Sequence, residues 1–244
     1  MNCASVELLD LSLGYNKAPA IQNITGTVRE GALIALTGPN GSGKSTLLKG
    51  IAGILHPLRG ACSLAPGMRV AYLAQSSELD HSFPATVRDL VSLGFWPERG
   101  LLRRYRTEDR ERLAKTLDLV GLTGFENRSL SALSGGQLQR ALFARVILQD
   151  AKIILLDEPF NAVDASTIRV LLELIKKWHA QKRTVIVVVH DIALIRGHFP
   201  ETIIVNGELV AWGETSLVLD PELMTQPGCM QNSNRLLHQR ECEK

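Results

Sequence analysis

Cysteine, net charge and long apolar runs are all scarce in this sequence of 244 residues. The four cysteines, Cys3, Cys62, Cys229 and Cys242, are far apart and form no CxxC pair, which favours ordinary thiols in a reducing compartment. With 27 basic and 25 acidic residues the net charge is +2, so electrostatics alone does not indicate a nucleic-acid partner. No stretch reaches the ~18 uninterrupted apolar residues that a membrane-spanning helix requires.

The first residues, Met1 to Glu7, also lack the basic start and the apolar core of a secretory signal. We therefore expect a cytoplasmic protein, and any membrane role would have to come through a partner. The composition, 45% hydrophobic and 21% charged, excludes a mostly disordered chain. The length suits one large domain, or one domain carrying a smaller one.

Apolar patterning in the first part of the chain predicts strands and then one helix. The helix should close at His56-Pro57, because a residue before proline is pushed away from helical dihedrals. The strands are expected at 6–13, 24–28 and 32–37, and the apolar face of the helix consists of Leu47, Leu48, Ile51 and Leu55.

The rest of the chain predicts a mainly helical insertion followed by buried strands. Apolar residues follow helical periods over 86–148. Two unbroken runs at 153–156 and 185–189, with a helical stripe between them, are typical of parallel strands buried on both faces. Asn206-Gly207 predicts a hairpin. We expect a single domain over 1–244, with an α/β core at 1–75 and 151–220, a helical subdomain at 76–150 and a tail at 221–244.

A glycine-rich segment between a predicted strand and a predicted helix matches the pattern G-x-x-x-x-G-K-[ST]. Its glycines let backbone N–H groups point inward, where they form an electropositive cup for phosphates with the helix N-terminus. Lys44 can reach the β- and γ-phosphates of a nucleotide, and the Ser45 hydroxyl can bind Mg²⁺. The alternative is a glycine turn that caps a helix. The segment consists of Gly38, Pro39, Asn40, Gly41, Ser42, Gly43, Lys44, Ser45 and Thr46.

Two acidic residues follow the apolar run at 153–156. Asp157, at the end of that predicted strand, can hold Mg²⁺ directly or through water. Glu158 can polarise a water molecule aimed at the γ-phosphate. The alternative is that the two carboxylates cap a helix ahead of Pro159.

The segment Leu133-Ser-Gly-Gly-Gln137 carries the most specific signal. Ser134 and Gln137 have capping-box spacing at the start of a helix expected to run to about Leu148. That role does not explain Gly135 and Gly136, because two glycines weaken a helix start unless the backbone must approach something closely. Exposed amides there would form a second phosphate cup, which could serve a nucleotide held by another copy of the protein.

Together, the phosphate loop, LSGGQ, Asp157-Glu158-Pro159 and a histidine after the next strand resemble the ATP-binding subunits of ABC transporters, over roughly residues 5–220. The resemblance implies an α/β P-loop NTPase core of RecA type with N-terminal antiparallel strands and an inserted α-helical subdomain. It also implies ATP hydrolysis with Mg²⁺ in a homodimer that closes head to tail. The residues expected to contact the nucleotide of the opposite subunit are Ser134, Gly135, Gly136 and Gln137.

The resemblance implies further roles for single residues. Tyr15 stands where an aromatic side chain stacks on adenine, Gln75 where a glutamine meets Mg²⁺ and acts in catalysis, and His190 where a histidine holds the γ-phosphate. The alternative for Tyr15 is a packed tyrosine at a strand end. Taken alone, Gln75 and His190 would more often be structural residues. Asp164 lies in the loop that crosses the dimer interface. Asn161 departs from the commoner serine or threonine, so its role stays open.

A weaker resemblance concerns the cargo. Residues 80–94, 137–140 and 158–160 look like the zinc and manganese importer ATPases. This implies import of a divalent metal, zinc slightly ahead of manganese, through a separate integral membrane permease with a periplasmic or extracellular substrate-binding protein upstream. The ATPase would lie peripherally on the cytoplasmic side of the inner membrane, with no direct nucleic-acid partner. ATPases of iron-chelate or haem importers, and non-transport ATPases of cofactor assembly or DNA repair, are the alternatives.

Overall fold

The computed structural model describes residues 4–75, 84–100 and 106–220. The described residues form two compact units, the first within the ranges Met1–Ala65 and Ile186–Lys244 and the second within Pro66–Val185. The helical subdomain predicted at 76–150 falls inside the second unit, and its bounds remain a prediction. Part of the metal-importer resemblance, at 80–83, and the predicted tail at 221–244 lie outside the described residues.

An antiparallel sheet opens the first unit and confirms the predicted N-terminal strands. Leu11 and Leu13 on its central strand are fully buried. A Cβ added to Gly50 would lie 2.3 Å from Leu13 Cδ1, so the following helix packs closely on this sheet. The strands, in the order β2-β1-β4, are β1 (Ala4–Tyr15), β2 (Ala18–Arg29) and β4 (Arg59–Leu64).

A second group of strands in the first unit carries the phosphate loop. Strand β3 (Leu33–Thr37) pairs in parallel with β8 (Glu201–Val205), which pairs antiparallel with β9 (Leu209–Glu214). The predicted Asn206-Gly207 hairpin is confirmed between β8 and β9, with Gly207 at φ 72°. The helices of this unit are α1 (Lys44–Ile51), α7 (Ile192–His198) and α8 (Thr215–Val218).

The predicted end of α1 at His56-Pro57 is wrong, because the helix ends at Ile51. Gly53 adopts φ 72°, which glycine reaches at no steric cost. The N–H groups of Ile54 and Leu55 then both donate to the Lys49 carbonyl oxygen, at 2.9 and 3.1 Å. A left-handed glycine cap therefore ends the helix one turn before the proline can act.

Parallel strands at the middle of the second unit confirm the predicted buried runs. Strand β5 (Val70–Leu73) pairs in parallel with β6 (Ile153–Leu156), every residue of which is buried. Helix α6 (Ala165–Ala180) follows β6 and leads to β7 (Thr184–Val188), which crosses from the second unit into the first. The stacked rings of Phe143 and Trp178, 5.7 Å apart, pack α6 against the preceding helix.

The predicted helical character of 86–148 is confirmed in the described part of that range. Asp109 is 1% exposed and is paired with Arg99 at 2.7 Å. Burial alone would raise the pKa of its carboxyl, but hydrogen bonds from the Arg106 N–H and the Arg99 guanidinium lower the pKa overall.

Among the described helices, none is long and apolar enough to span a membrane. The helices are α2 (Val87–Ser92), α3 (Trp96–Arg99), α4 (Thr107–Leu119) and α5 (Gly135–Gln149).

Candidate nucleotide-binding site

The phosphate loop depends on glycine at three positions. Gly38, Gly41 and Gly43 have φ of 147°, 77° and 95°, a region that other residues reach only with strain. A Cβ on Gly38 would also lie 2.0 Å from the Val205 carbonyl oxygen. The backbone therefore curls as the sequence pattern predicts.

Helix α1 begins at the end of this loop with its N-terminus suited to an anion. Its N-cap is Gly43, which has no side chain to cap the first turn, and that turn contains no acidic residue. The positive end of the helix is thus not neutralised by its own N-cap residue, and such an end attracts phosphate oxygens. The alternative of a simple glycine turn does not require this arrangement.

The Lys44 side chain folds back over the same loop. It is 5% exposed, and its Nζ donates to the carbonyl oxygens of Gly38 and Pro39 at 3.0 and 2.7 Å. The Ser42 hydroxyl lies 3.5 Å from the same ammonium. The loop therefore holds a buried positive charge within its curl, where the phosphates of a nucleotide are predicted to bind.

The turn between β8 and β9 is hydrogen-bonded to the phosphate loop, a contact that the sequence did not predict. Gly207 donates its N–H to the Ser42 carbonyl oxygen at 3.0 Å and accepts from the Gln22 N–H at 2.8 Å. On the other side, a Cβ on Gly43 would come within 3.0 Å of the Ala20 carbonyl oxygen on β2. The Asn-Gly signal predicted the turn, but nothing local in the sequence links it to the loop.

The structure brings Tyr15 to a hairpin whose second strand touches the phosphate loop. Tyr15 ends β1 and is paired with Ala18 at the start of β2, two residues before Ala20. Its side chain is 49% exposed, so the alternative of a packed strand-end tyrosine does not fit. A half-exposed ring at this place is compatible with stacking on a base, and the role in adenine binding remains a prediction.

His190 is exposed and follows β7 beside the strand that leads into the loop. The Val189 N–H donates to the Leu36 carbonyl oxygen at 3.1 Å, so β7 ends at the same edge as β3. Asp191 caps helix α7 by accepting the N–H groups of Ala193 and Leu194. Asp191 therefore has a structural role, and the role of His190 at the γ-phosphate remains a prediction.

In the second unit, Asp157 follows β6 and is almost fully buried, at 1% exposure. The Tyr72 hydroxyl donates to its Oδ2 at 3.2 Å, and its own N–H donates to the Leu73 carbonyl oxygen at 2.9 Å. A buried carboxylate needs such partners. Sequence reasoning missed Tyr72, whose only signal was its position one residue before the end of a strand that pairs with β6.

The Glu158 carboxylate accepts hydrogen bonds from two side-chain amides of the same unit. Gln75 Nε2 and Asn161 Nδ2 donate to its Oε2 at 2.6 and 2.5 Å. The alternative role of Asp157 and Glu158 as helix caps is wrong, because α6 begins at Ala165 with Asp164 as its N-cap. The structure thus brings together three of the predicted functional residues of this unit: Gln75, Asp157 and Glu158.

The LSGGQ segment starts α5 with the predicted capping box. The Gln137 N–H donates to Ser134 Oγ at 3.2 Å, and the Ser134 N–H donates to Gln137 Oε1 at 3.1 Å. A Cβ on Gly136 would lie 2.9 Å from Thr167 Oγ1, and one on Gly135 would lie 3.3 Å from the Ala162 carbonyl oxygen. The two glycines therefore do allow a close backbone approach, and within this chain the segment that they approach is the start of α6.

Asp164 is the residue that fixes the start of α6. Its carboxylate accepts the Ser166 hydroxyl and both the N–H and the hydroxyl of Thr167. These hydrogen bonds, that of Ser166 foremost, lower the pKa of Asp164. This capping role is structural, and the predicted place of Asp164 at a dimer interface remains a prediction, as does the contact of the LSGGQ segment with a second nucleotide.

The fold and these residues define a P-loop α/β protein that binds a nucleotide. The family model described as ABC transporter matches residues 21–161, and the chain belongs to that family. It is accordingly an ATPase, which confirms the resemblance read from the sequence.

Relatives cover nearly the whole chain. The manganese transport system ATP-binding protein MntB of Listeria monocytogenes is 39% identical over 85% of this chain and 89% of the relative. The zinc transport system ATP-binding protein TroB of Treponema pallidum is 36% identical over 86% of this chain and 81% of the relative.

Solved structures of similar chains agree with the fold. A metal-chelate type ABC transporter in an inward-facing conformation superposes with a TM-score of 0.78 and 28% identity, covering 91% of this chain and 88% of that one. A dimeric ATP-binding cassette bound to ADP and phosphate, in a post-hydrolysis state, superposes with a TM-score of 0.73 and 27% identity, covering 86% of this chain and 98% of that one.

Proposed function

We propose that this chain is the ATP-hydrolysing subunit of an importer of a divalent metal ion. It acts as a homodimer on a separate membrane permease, peripherally at the cytoplasmic side of the inner membrane, with a substrate-binding protein upstream. The observation that carries the proposal is the 39% identity to a manganese transport ATP-binding protein over 85% of the chain. A zinc transport relative is nearly as similar, at 36%, so the order of zinc before manganese stays a prediction.

In this proposal the first unit binds the phosphates of ATP. The N–H groups of the phosphate loop and the Lys44 ammonium neutralise them, and Tyr15 stacks on the adenine. Phosphoryl transfer to water depends mainly on positioning and on neutralising charge. The buried ammonium of Lys44 supports this role, because the loop has already removed it from bulk water.

Mg²⁺ fits the oxygen donors that the second unit presents. Asp157 offers a carboxylate, and Gln75, which uses its Nε2 on Glu158, keeps its amide oxygen for a ligand role. Magnesium prefers such hard oxygen ligands. The Ser45 hydroxyl, in the first unit, remains a predicted further ligand. When bound, the ion would neutralise charge on the β- and γ-phosphates.

Glu158 acts as the general base that orients the attacking water. His190 holds the γ-phosphate, and the LSGGQ segment of a second copy completes the site. Closure of two copies on ATP would then couple nucleotide binding to the permease, whose contacts we assign to the helical subdomain at 76–150.

One observation favours a second candidate cargo. A metal-chelate type transporter is similar to this chain, at 28% identity and a TM-score of 0.78. A metal chelate is therefore the alternative cargo to a free metal ion. The ATPase chemistry would be the same for both.

Metal accumulation in a deletion strain tests the proposed cargo. Uptake of zinc, manganese and iron is measured after the gene is deleted and then restored as wild type, as Glu158→Gln or as Glu173→Gln. Glu173 is an exposed acid on α6, paired with Lys176 at 2.9 Å, and serves as the matched control. We expect loss of zinc or manganese uptake, restored by wild type and Glu173→Gln but not by Glu158→Gln. Loss of iron-chelate uptake alone would favour the second candidate, and unchanged metal uptake would contradict the proposal.

A further inference from the structure

Two amides converge on one oxygen of Glu158. Its Oε2 accepts from Asn161 Nδ2 at 2.5 Å and from Gln75 Nε2 at 2.6 Å. An ionised carboxylate has only acceptors, so both amides must present their N–H side to it. Hydrogen bonds to a charged acceptor are the stronger kind, and two of them restrict the rotation of the carboxylate.

The backbone of the loop after β6 sets up the contact with Asn161. Glu158 adopts φ 49°, a left-handed conformation that is uncommon outside glycine and asparagine. The Asn161 N–H donates to the Glu158 carbonyl oxygen at 3.2 Å, which closes a turn over 158–161. The turn therefore brings the Asn161 side chain next to the Glu158 carboxylate. Uncommon backbone conformations such as that of Glu158 concentrate at functional sites.

We infer that Asn161 is a positioning residue for Glu158, whose amide fixes Oε2 and so sets the direction of the carboxylate before a second copy closes on the site. The inference rests on the proposed role of Glu158 as general base. It also accounts for asparagine at this place, because the amide nitrogen of asparagine lies one bond further from the backbone than the hydroxyl oxygen of serine or threonine.

A double-mutant cycle on the nucleotide-free chain tests the contact itself. Asn161→Asp places a carboxylate against that of Glu158, so we expect the melting temperature to fall by roughly 3 °C or more. In the double variant with Glu158→Gln the new amide can donate to the carboxylate. We therefore expect the double variant to melt at a higher temperature than Asn161→Asp alone.

The catalytic effect is measured with Asn161→Ala. We expect kcat for ATP hydrolysis to fall about tenfold while KM for ATP stays within about twofold, because only the direction of the base is lost. The matched controls are Asn127→Asp and Asn127→Ala, at an exposed asparagine of the same unit. Neither control should change the melting temperature or kcat.

The two arms separate this inference from the proposed function. Additive melting shifts in the cycle, or a normal kcat for Asn161→Ala, would overturn the positioning role even if Glu158→Gln is inactive. Normal hydrolysis by Glu158→Gln would overturn the proposed base, and the inference with it. Coupled melting shifts together with a lowered kcat would establish the role.

Discussion

At the scale of single residues, the two predicted functional carboxylates, Asp157 for Mg²⁺ and Glu158 for catalysis, are held by side chains to which the sequence assigned no role. Tyr72 donates to Asp157, and Asn161 donates to Glu158. The sequence predicted both acids because a carboxylate after a buried strand suits metal binding beside a phosphate loop. It did not predict their partners, because such contacts depend on strand register, as with Tyr72, or on a local turn, as with Asn161.

Tyr72→Phe should weaken the Mg²⁺-dependent part of ATP binding. The change keeps the ring and removes the hydroxyl that donates to Asp157 at 3.2 Å. Since a hydrogen bond to a charged group contributes ~1.5–3 kcal/mol, we expect ATP affinity to fall about tenfold with Mg²⁺ present and to stay unchanged in EDTA. Isothermal titration under both conditions measures this.

The control for that variant is Thr116→Val, which removes a hydroxyl hydrogen-bonded at 2.7 Å to the Arg112 carbonyl oxygen on α4. It should leave both affinities unchanged. An equal loss of affinity for Tyr72→Phe with and without Mg²⁺ would show that Tyr72 acts through the fold rather than through Asp157.

At the scale of elements, strands and helices were largely predictable, and their ends and contacts were not. The runs that became β6 and β7 are apolar throughout, so their burial followed from composition. Helix α1 ends early because Gly53 adopts a left-handed conformation, whereas the sequence predicted that Pro57 would end the helix. The support of the phosphate loop by Gly207 joins distant segments and has no local signal.

Gly136→Ala tests whether the start of α5 needs glycine for packing against α6. The new Cβ would lie 2.9 Å from Thr167 Oγ1, so we expect the free energy of unfolding to fall by about 1–3 kcal/mol. The matched control is Gly197→Ala in α7, where a Cβ would meet no atom within 4 Å. Alanine there should be neutral or stabilise the protein by up to about 1 kcal/mol. Urea unfolding compares the two, and equal effects would show that Gly136 is not constrained by this contact.

At the scale of the whole molecule, the candidate residues fall into two sets. The phosphate loop, Tyr15 and His190 belong to the first unit, while Gln75, Asp157, Glu158 and the LSGGQ segment belong to the second. The capping box and the close approach of Gly136 to α6 give that segment a fixed shape within its own chain. A similar cassette has been solved as a dimer with ADP and phosphate bound. We propose accordingly that the complete catalytic site lies between two copies of the chain.

The dependence of ATP hydrolysis on protein concentration tests this arrangement most directly. The rate per chain is measured over a dilution series that spans monomer and dimer, with the oligomeric state followed in the same samples. If two copies must close to complete each site, the rate per chain rises with concentration and levels off as dimers form. A constant rate per chain in strictly monomeric samples would contradict the account.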